Sequence, residues 1–181
     1  MKPVTLIDTE LFGLILQRLG YQLIENHNDF SSCVILGLQP RGIFLQDAMV
    51  KKLMEIAPKA KIQSGTLDPT FYRDDFRIAE KQLIARSTEI PFSIENKDVV
   101  LIDDVLYTGR TIRAGLEAML EHGRPRRVEL MVLIDRRFTR ELPIEPKYVG
   151  KSIDSYDNQK VLVSWKHGGA PDSVQLLTGK S

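Results

Sequence analysis

The chain has 181 residues, with 25 Lys and Arg against 24 Asp and Glu, and a formal charge of +1; bulk electrostatics give no pull toward nucleic acid or anionic lipid. With 43% apolar and 27% charged residues its composition is ordinary for a globular chain, and one domain spanning 1–181, burying about 70% of its unfolded surface, is expected. The single Cys33 excludes an internal disulfide or a cysteine-built zinc site, and without a signal-peptide pattern or an apolar run of about 18 residues the expectation is a cytoplasmic protein with no membrane contact.

Asp8 is placed to cap a helix running to about Asn26, in which Leu11, Phe12, Ile15, Leu16, Leu19, Leu23 and Ile24 recur at helical spacing. Asn26-His27-Asn28-Asp29 breaks it. Ser32 to Leu38 is a strongly apolar strand, with Cys33 read as a small core hydrophobe, followed by Gln39-Pro40-Arg41-Gly42. A second helix starts near Gly42, carries Ile43, Phe44, Ala48, Met49, Leu53, Met54 and Ile56, and ends before Pro58. Ile62 to Leu67 reads as a strand, interrupted by Asp68-Pro69. Thr70 to Glu89 is polar and charged without clean periodicity, and at roughly twenty residues it suits a lid or a β-hairpin arm over a subunit contact equally well.

The apolar run Val99-Val100-Leu101-Ile102 reads as a buried strand entering Asp103-Asp104. Val105-Leu106-Tyr107-Thr108-Gly109-Arg110-Thr111 then opens a helix carrying Ile112, Leu116, Met119 and Leu120, with Gly123 as its stop and Pro125 just beyond. Val128 to Ile134 is another buried strand, ending in Asp135-Arg136-Arg137. Lys147 to Gly150 reads as a further short strand, and Lys160 to Trp165 with Ser173 to Leu177 as a hairpin around a turn-rich segment. Strands and helices in this rhythm predict an α/β fold, a parallel sheet with right-handed crossovers.

Ligands of open α/β sheets bind at the carboxyl ends of the strands, which directs attention to Asp103 through Thr111. Thr108, Gly109 and Thr111 at a helix start have the makings of an anion cradle, because glycine permits close approach, hydroxyls donate and the first helical N–H groups are unpaired. The two acids cannot face the same anion and must meet hydroxyls or a metal. A ligand with a phosphate at one end and a diol at the other satisfies both halves. Neither a Gly-x-x-x-x-Gly-Lys-[Ser/Thr] loop nor a Gly-x-Gly-x-x-Gly fingerprint occurs, which excludes the common alternatives for a nucleotide fold. A receiver domain carries its acid pair on the first strand, whereas at least two strands precede this one.

Val99 to Thr111 resembles, along its full length, the phosphoribosyl-pyrophosphate (PRPP) motif of the type I phosphoribosyltransferases. That resemblance implies a central parallel sheet flanked by helices, with a small hood built from the N- and C-terminal segments. It also implies that Asp103 and Asp104 bind the ribose 2′- and 3′-hydroxyls while Leu106 to Thr111 wrap the 5′-phosphate. Gln39-Pro40-Arg41-Gly42 matches the family's pyrophosphate loop, making Pro40, Arg41 and Gly42 pyrophosphate residues. The family's cis peptide would fall at Gln39–Pro40, where proline lowers the cost from about 3 kcal/mol to below about 1 kcal/mol.

Within the family the chain is similar to the PyrR type, which joins uracil phosphoribosyltransferase activity to RNA-based attenuation of pyrimidine operons. Phe71-Tyr72-Arg73-Asp74-Asp75, Asp104 to Thr111, His122-Gly123-Arg124-Pro125, Arg140-Glu141-Leu142-Pro143-Ile144 and Tyr148-Val149-Gly150-Lys151 carry the likeness. By that resemblance PRPP and uracil react to UMP and pyrophosphate, Mg²⁺ arrives on PRPP without a dedicated protein cage, and the chain forms a homodimer or larger homo-oligomer. Tyr72 to Glu89 would be a lid with Tyr72, Arg73 and Arg86 as its candidate residues, the two arginines meeting pyrophosphate, and Asp135 and Arg136 would lie near the base or the pyrophosphate. Two stretches depart. Relatives usually read Asp-Arg-Gly-His-Arg-Glu where this chain has Asp135-Arg136-Arg137-Phe138-Thr139-Arg140-Glu141, and Ile153-Asp154-Ser155 replaces the usual Ile-Pro-Thr-Ser.

Two alternatives follow. One is an RNA-binding regulator that senses nucleotides. On the first helix the relatives carry Thr-Arg and a His, whereas Gln17-Arg18 and Tyr21 retain only the arginine, and Lys51, Lys52, Arg124, Arg126, Arg127 and Arg140 read as scattered surface charge. The other is a phosphoribosyltransferase for a different base.

Overall fold

The computed structural model describes residues 3–74, 85–156, 158–166 and 172–178. Five parallel strands form the main sheet in the order β3(Gln63–Leu67), β2(Cys33–Leu38), β4(Asp98–Leu106), β5(Arg127–Arg137) and β6(Tyr148–Asp154). Their apolar residues alternate between two covered faces, as strands of a buried parallel sheet must. Val100, Ile102, Met131 and Leu133 pack under α1(Thr9–His27) and α2(Gly42–Ile56), whereas Val99, Leu101, Leu130 and Val132 meet Ile112, Ala118 and Met119 of α3(Arg110–Leu120).

The expected Asp8 cap is formed: its carboxylate accepts from the Leu11 N–H at 2.9 Å. Cys33 is buried, and desolvation pushes its thiol up to about 12, which leaves it inert as a nucleophile. Four element ends differ from the sequence reading by three residues or more. β4 continues through both acids to Leu106, β5 extends to Arg137, β6 runs on to Asp154 rather than Gly150, and α3 ends at Leu120, short of Gly123.

The hood is a second, antiparallel sheet ordered β1(Pro3–Ile7), β8(Ser173–Thr178), β7(Gln159–Ser164). Sequence periodicity did not reveal β1, whose first residues are exposed and whose hydrogen bonds come from β8, about 170 residues away. Ile7, Val163, Trp165 and Val174 join the same core as α1 and α2, and Trp165 meets the ring of Phe12 edge-on at 5.3 Å. The hood is thereby fixed over the start of α2. Among the described residues no helix is long and apolar enough to cross a membrane.

Candidate active site

Asp103 and Asp104 lie on β4, both buried, with the Asp104 N–H donating to the Asp103 carboxylate at 2.9 Å. Burial raises the Asp103 carboxyl well above the usual carboxylate range, and the charge of Asp104 adds to the rise; Arg41 and Arg73 offset part of it. Burial also raises Asp104, against the pull of the Arg41 guanidinium, whose Nε lies 2.6 Å from its Oδ2. Two adjacent buried acids with, among the described residues, one ion-paired cation are under-compensated. They favour a ligand that brings hydrogen-bond donors or positive charge.

Arg41 comes from the turn between β2 and α2, where the Gln39–Pro40 peptide is cis. Besides Asp104 it donates through Nη2 to the Val163 carbonyl of β7 at 2.8 Å, linking this turn, the acid pair and the hood. Gly42 is the reason the turn can lie against β4. A Cβ there would stand 2.3 Å from the Ile102 carbonyl oxygen, far inside contact distance. Gln39 Nε2 donates to the Ser87 carbonyl at 2.6 Å, connecting the same turn to the far root of the Thr70–Glu89 segment.

Beyond the acids the backbone turns at Gly109, whose φ of +93° is left-handed and suits glycine. α3 starts immediately after. A cavity of about 280 Å³ opens here, lined by Arg73, Asp103, residues 105–112 and Glu141. The hydroxyls of Thr108 and Thr111 and the first turn of α3 therefore share one concave site with the end of the acid pair. The residues that the sequence pattern placed around an anion, Thr108, Gly109 and Thr111, are thus brought together with Asp103.

Of the candidate lid residues, Tyr72 and Arg73 are held against α3. The Tyr72 carbonyl accepts from Arg113 Nη2 at 3.0 Å, and Arg73 Nη1 lies 3.4 Å from Thr111 Oγ1. Arg86 is exposed, and its backbone N–H donates to Asp68. Residues 75–84, the middle of the predicted lid or arm, lie outside the described residues.

Asp68, read from sequence only as part of a strand break, is buried and holds both roots of that segment. Its Oδ1 accepts from the Thr70 N–H at 3.0 Å and from the Thr70 hydroxyl, while Oδ2 accepts from Arg86 N–H. The signal was available: Asp68-Pro69-Thr70 is an Asx-turn pattern, with the carboxylate accepting two residues on.

At the base side, Asp135 pairs with Arg140, which also donates to the Tyr107 carbonyl at 2.7 Å. Arg136 is buried. Its guanidinium donates to Ser155 Oγ at 2.8 Å and to the Tyr156 and Gln159 carbonyls at 2.9 and 3.1 Å, and it covers the Tyr107 ring at 4.1 Å. It thus ties the turn after β4 to the loop between β6 and β7. Phe138 occupies the departing stretch with a left-handed φ of 69° and is 75% exposed, as is uncommon for a bulky side chain. The chain turns there directly after β5 has run on to Arg137.

Fold and site together define a phosphoribosyltransferase. The chain belongs to that family: the family model described as "Phosphoribosyl transferase domain" matches residues 5–167. It is 41% identical over 172 residues to the Bifunctional protein PyrR of Haemophilus ducreyi, spanning 95% of each chain. The Bifunctional protein pyrR of Enterococcus faecalis is 37% identical over 179 residues, 99% of each. In fold it matches a hypoxanthine phosphoribosyltransferase from Staphylococcus aureus with a TM-score of 0.71 at 24% identity, covering 98% of this chain and 92% of that one.

Proposed function

We propose that this phosphoribosyltransferase transfers ribose 5-phosphate from PRPP to uracil, giving UMP and pyrophosphate, in the cytoplasm. The observation that carries the reading is the buried Asp103–Asp104 pair, in which Asp103 lines the cavity of Thr108, Gly109 and Thr111 while Asp104 is paired with Arg41. Ribose hydroxyls donating to the acids would supply the missing partners, and the 5′-phosphate would take the hydroxyls and helix start. Arg41 would then exchange Asp104 for the oxygens of the leaving pyrophosphate.

In the reaction the bond from the anomeric carbon to pyrophosphate breaks with its electron pair leaving on oxygen. A uracil nitrogen forms the new bond from the opposite face and loses its proton. Positive charge developing on the ribose ring is stabilised by the acids below it, so the protein's contribution is positioning and electrostatics. Mg²⁺ would travel with the substrate, held chiefly by pyrophosphate and ribose oxygens with water, and Asp103 and Asp104 would be the hard oxygen donors nearest to it on the protein.

Uracil as the base rests on the full-length likeness to the PyrR proteins. Pyrophosphate release from PRPP against uracil, orotate, hypoxanthine, guanine, xanthine and adenine tests it. Turnover with uracil alone is expected; turnover with a purine only would reassign the base, and none with any base would remove the enzyme reading. The word "bifunctional" in the relatives' names motivates a second activity, binding of a pyrimidine-operon leader RNA. Arg18, the retained position of that surface, already donates to the Val149 and Gly150 carbonyls at 3.0 and 2.6 Å. Salt-sensitive RNA binding lost in Arg18→Ala would support the regulator, and wild-type indifference to the RNA would exclude it.

A further inference from the structure

Resting on the PRPP reading above, we infer that Arg73 is a ligand of the substrate's 5′-phosphate, held in place for that task by Asp74 as a positioning residue. The likeness to relatives had directed this arginine to the pyrophosphate instead. Its place in the molecule argues otherwise. Arg73 lines the cavity of the phosphate loop with Thr108, Gly109 and Thr111, and its Nη1 lies 3.4 Å from the Thr111 hydroxyl. Neither Arg41 nor the rest of the Gln39–Gly42 turn is among the described walls of that cavity.

The backbone on both sides of Arg73 is stitched to α3. The Tyr72 carbonyl takes Arg113 Nη2 at 3.0 Å, and the Asp74 carboxylate takes Arg110 Nη1 at 2.6 Å together with Arg113. Arg73 is therefore anchored, through its two neighbours, to the helix whose first turn forms the anion site. The charges of the loop point the same way. Arg110 is engaged by Asp74 and Glu141, and Arg113 by Asp74 and Glu117, so carboxylates already neutralise the cations of α3's first turns. A phosphate monoester brings a charge of about −1.5 to −2 at neutral pH. Arg73 adds a guanidinium to the cavity wall from outside α3, in the cavity that Asp103 also lines.

Pyrophosphate and 5′-phosphate roles separate by ligand. Titration calorimetry of wild type, Arg73→Gln, Arg73→Lys and Asp74→Asn with UMP, ribose 5-phosphate and Mg²⁺-pyrophosphate reads the difference, with circular dichroism melts confirming that each variant is folded. Arg73→Gln is expected to weaken UMP and ribose 5-phosphate by about tenfold, the scale of one charge-assisted contact, while pyrophosphate binding stays within twofold. Arg73→Lys should recover part of the loss, and Asp74→Asn should show a smaller loss on the same two ligands. Loss of pyrophosphate binding with UMP affinity retained would overturn the assignment in favour of the pyrophosphate role, and three unchanged affinities would overturn any ligand role. If wild type binds none of the three ligands, the PRPP reading itself fails and the inference falls with it.

Discussion

Asp98 and Glu129, near the amino end of the parallel sheet, are as buried as Asp103 and Asp104 toward its carboxyl end. Their surroundings differ. Arg126 and Arg127 hold the Asp98 carboxyl below the usual range, outweighing its burial. Glu129 is pushed up by burial, but Lys147, Tyr148 and His27 hydrogen-bond both its oxygens at 2.7, 2.7 and 2.9 Å and bring the net shift below the usual value. Both acids of the amino end are saturated with donors. Those of the carboxyl end are raised, with Arg41 their one ion-pair partner among the described residues, and Asp103 lines a cavity. Carboxylates similarly buried in one sheet thus serve cohesion where the protein supplies the partners, and under the proposed function they bind a ligand where it leaves them to be supplied.

The sharpest way to break this contrast is to neutralise one acid at each end. Asp104→Asn is expected to lower kcat/KM for PRPP by about 100-fold or more, the scale of a lost transition-state contact, without loss of fold by circular dichroism. Glu129→Gln should do the reverse, costing about 2–3 kcal/mol of unfolding free energy in urea while the folded fraction keeps its turnover. Equal effects of the two variants on both readouts would erase the distinction.

Gly42→Ala probes the seam between the two regions. The added methyl would overlap the Ile102 carbonyl, so the Arg41 turn must withdraw from Asp104. A loss of about 1–3 kcal/mol in stability is expected, with PRPP affinity falling further than uracil affinity.

Acidification separates the ends by sign. Asp98 and Glu129 have folded values below their unfolded ones, so their contribution is present above about pH 4 and is lost as pH falls through the folded values. Asp103 and Asp104 have raised values, so their cost is present near neutrality and is relieved as pH falls through them. Glu129→Gln should therefore flatten the acid limb of a stability–pH curve below about pH 4, while Asp103→Asn should flatten the region above it.

Much of this was legible in the residue pattern because its causes are local. The apolar run ending in Asp103-Asp104 and the Thr108–Thr111 helix start lie within a single strand–turn–helix unit. Arg41 and Gly42 likewise follow directly on β2. What stayed hidden joins distant positions. His27, Glu129 and Tyr148 are separated by up to 121 residues, and the partners of Arg136 come from a loop about twenty residues on. β1 carried no periodic signal because its pairing comes from the other end of the chain. Resemblance pointed Arg136 to the base or the pyrophosphate; the partners seen here are the Tyr107 ring and the 155–159 loop.

The central claim, that the under-compensated acids are the ribose site, is tested most directly by the melting temperatures of wild type and Asp103→Asn, each with and without Mg²⁺-PRPP. Wild type should rise on adding PRPP, by the linkage of binding to folding. The variant should melt higher than wild type without ligand, because an uncompensated buried charge has gone, and should gain little from PRPP. A variant that melts lower than wild type, or that PRPP stabilises as strongly, would contradict the account.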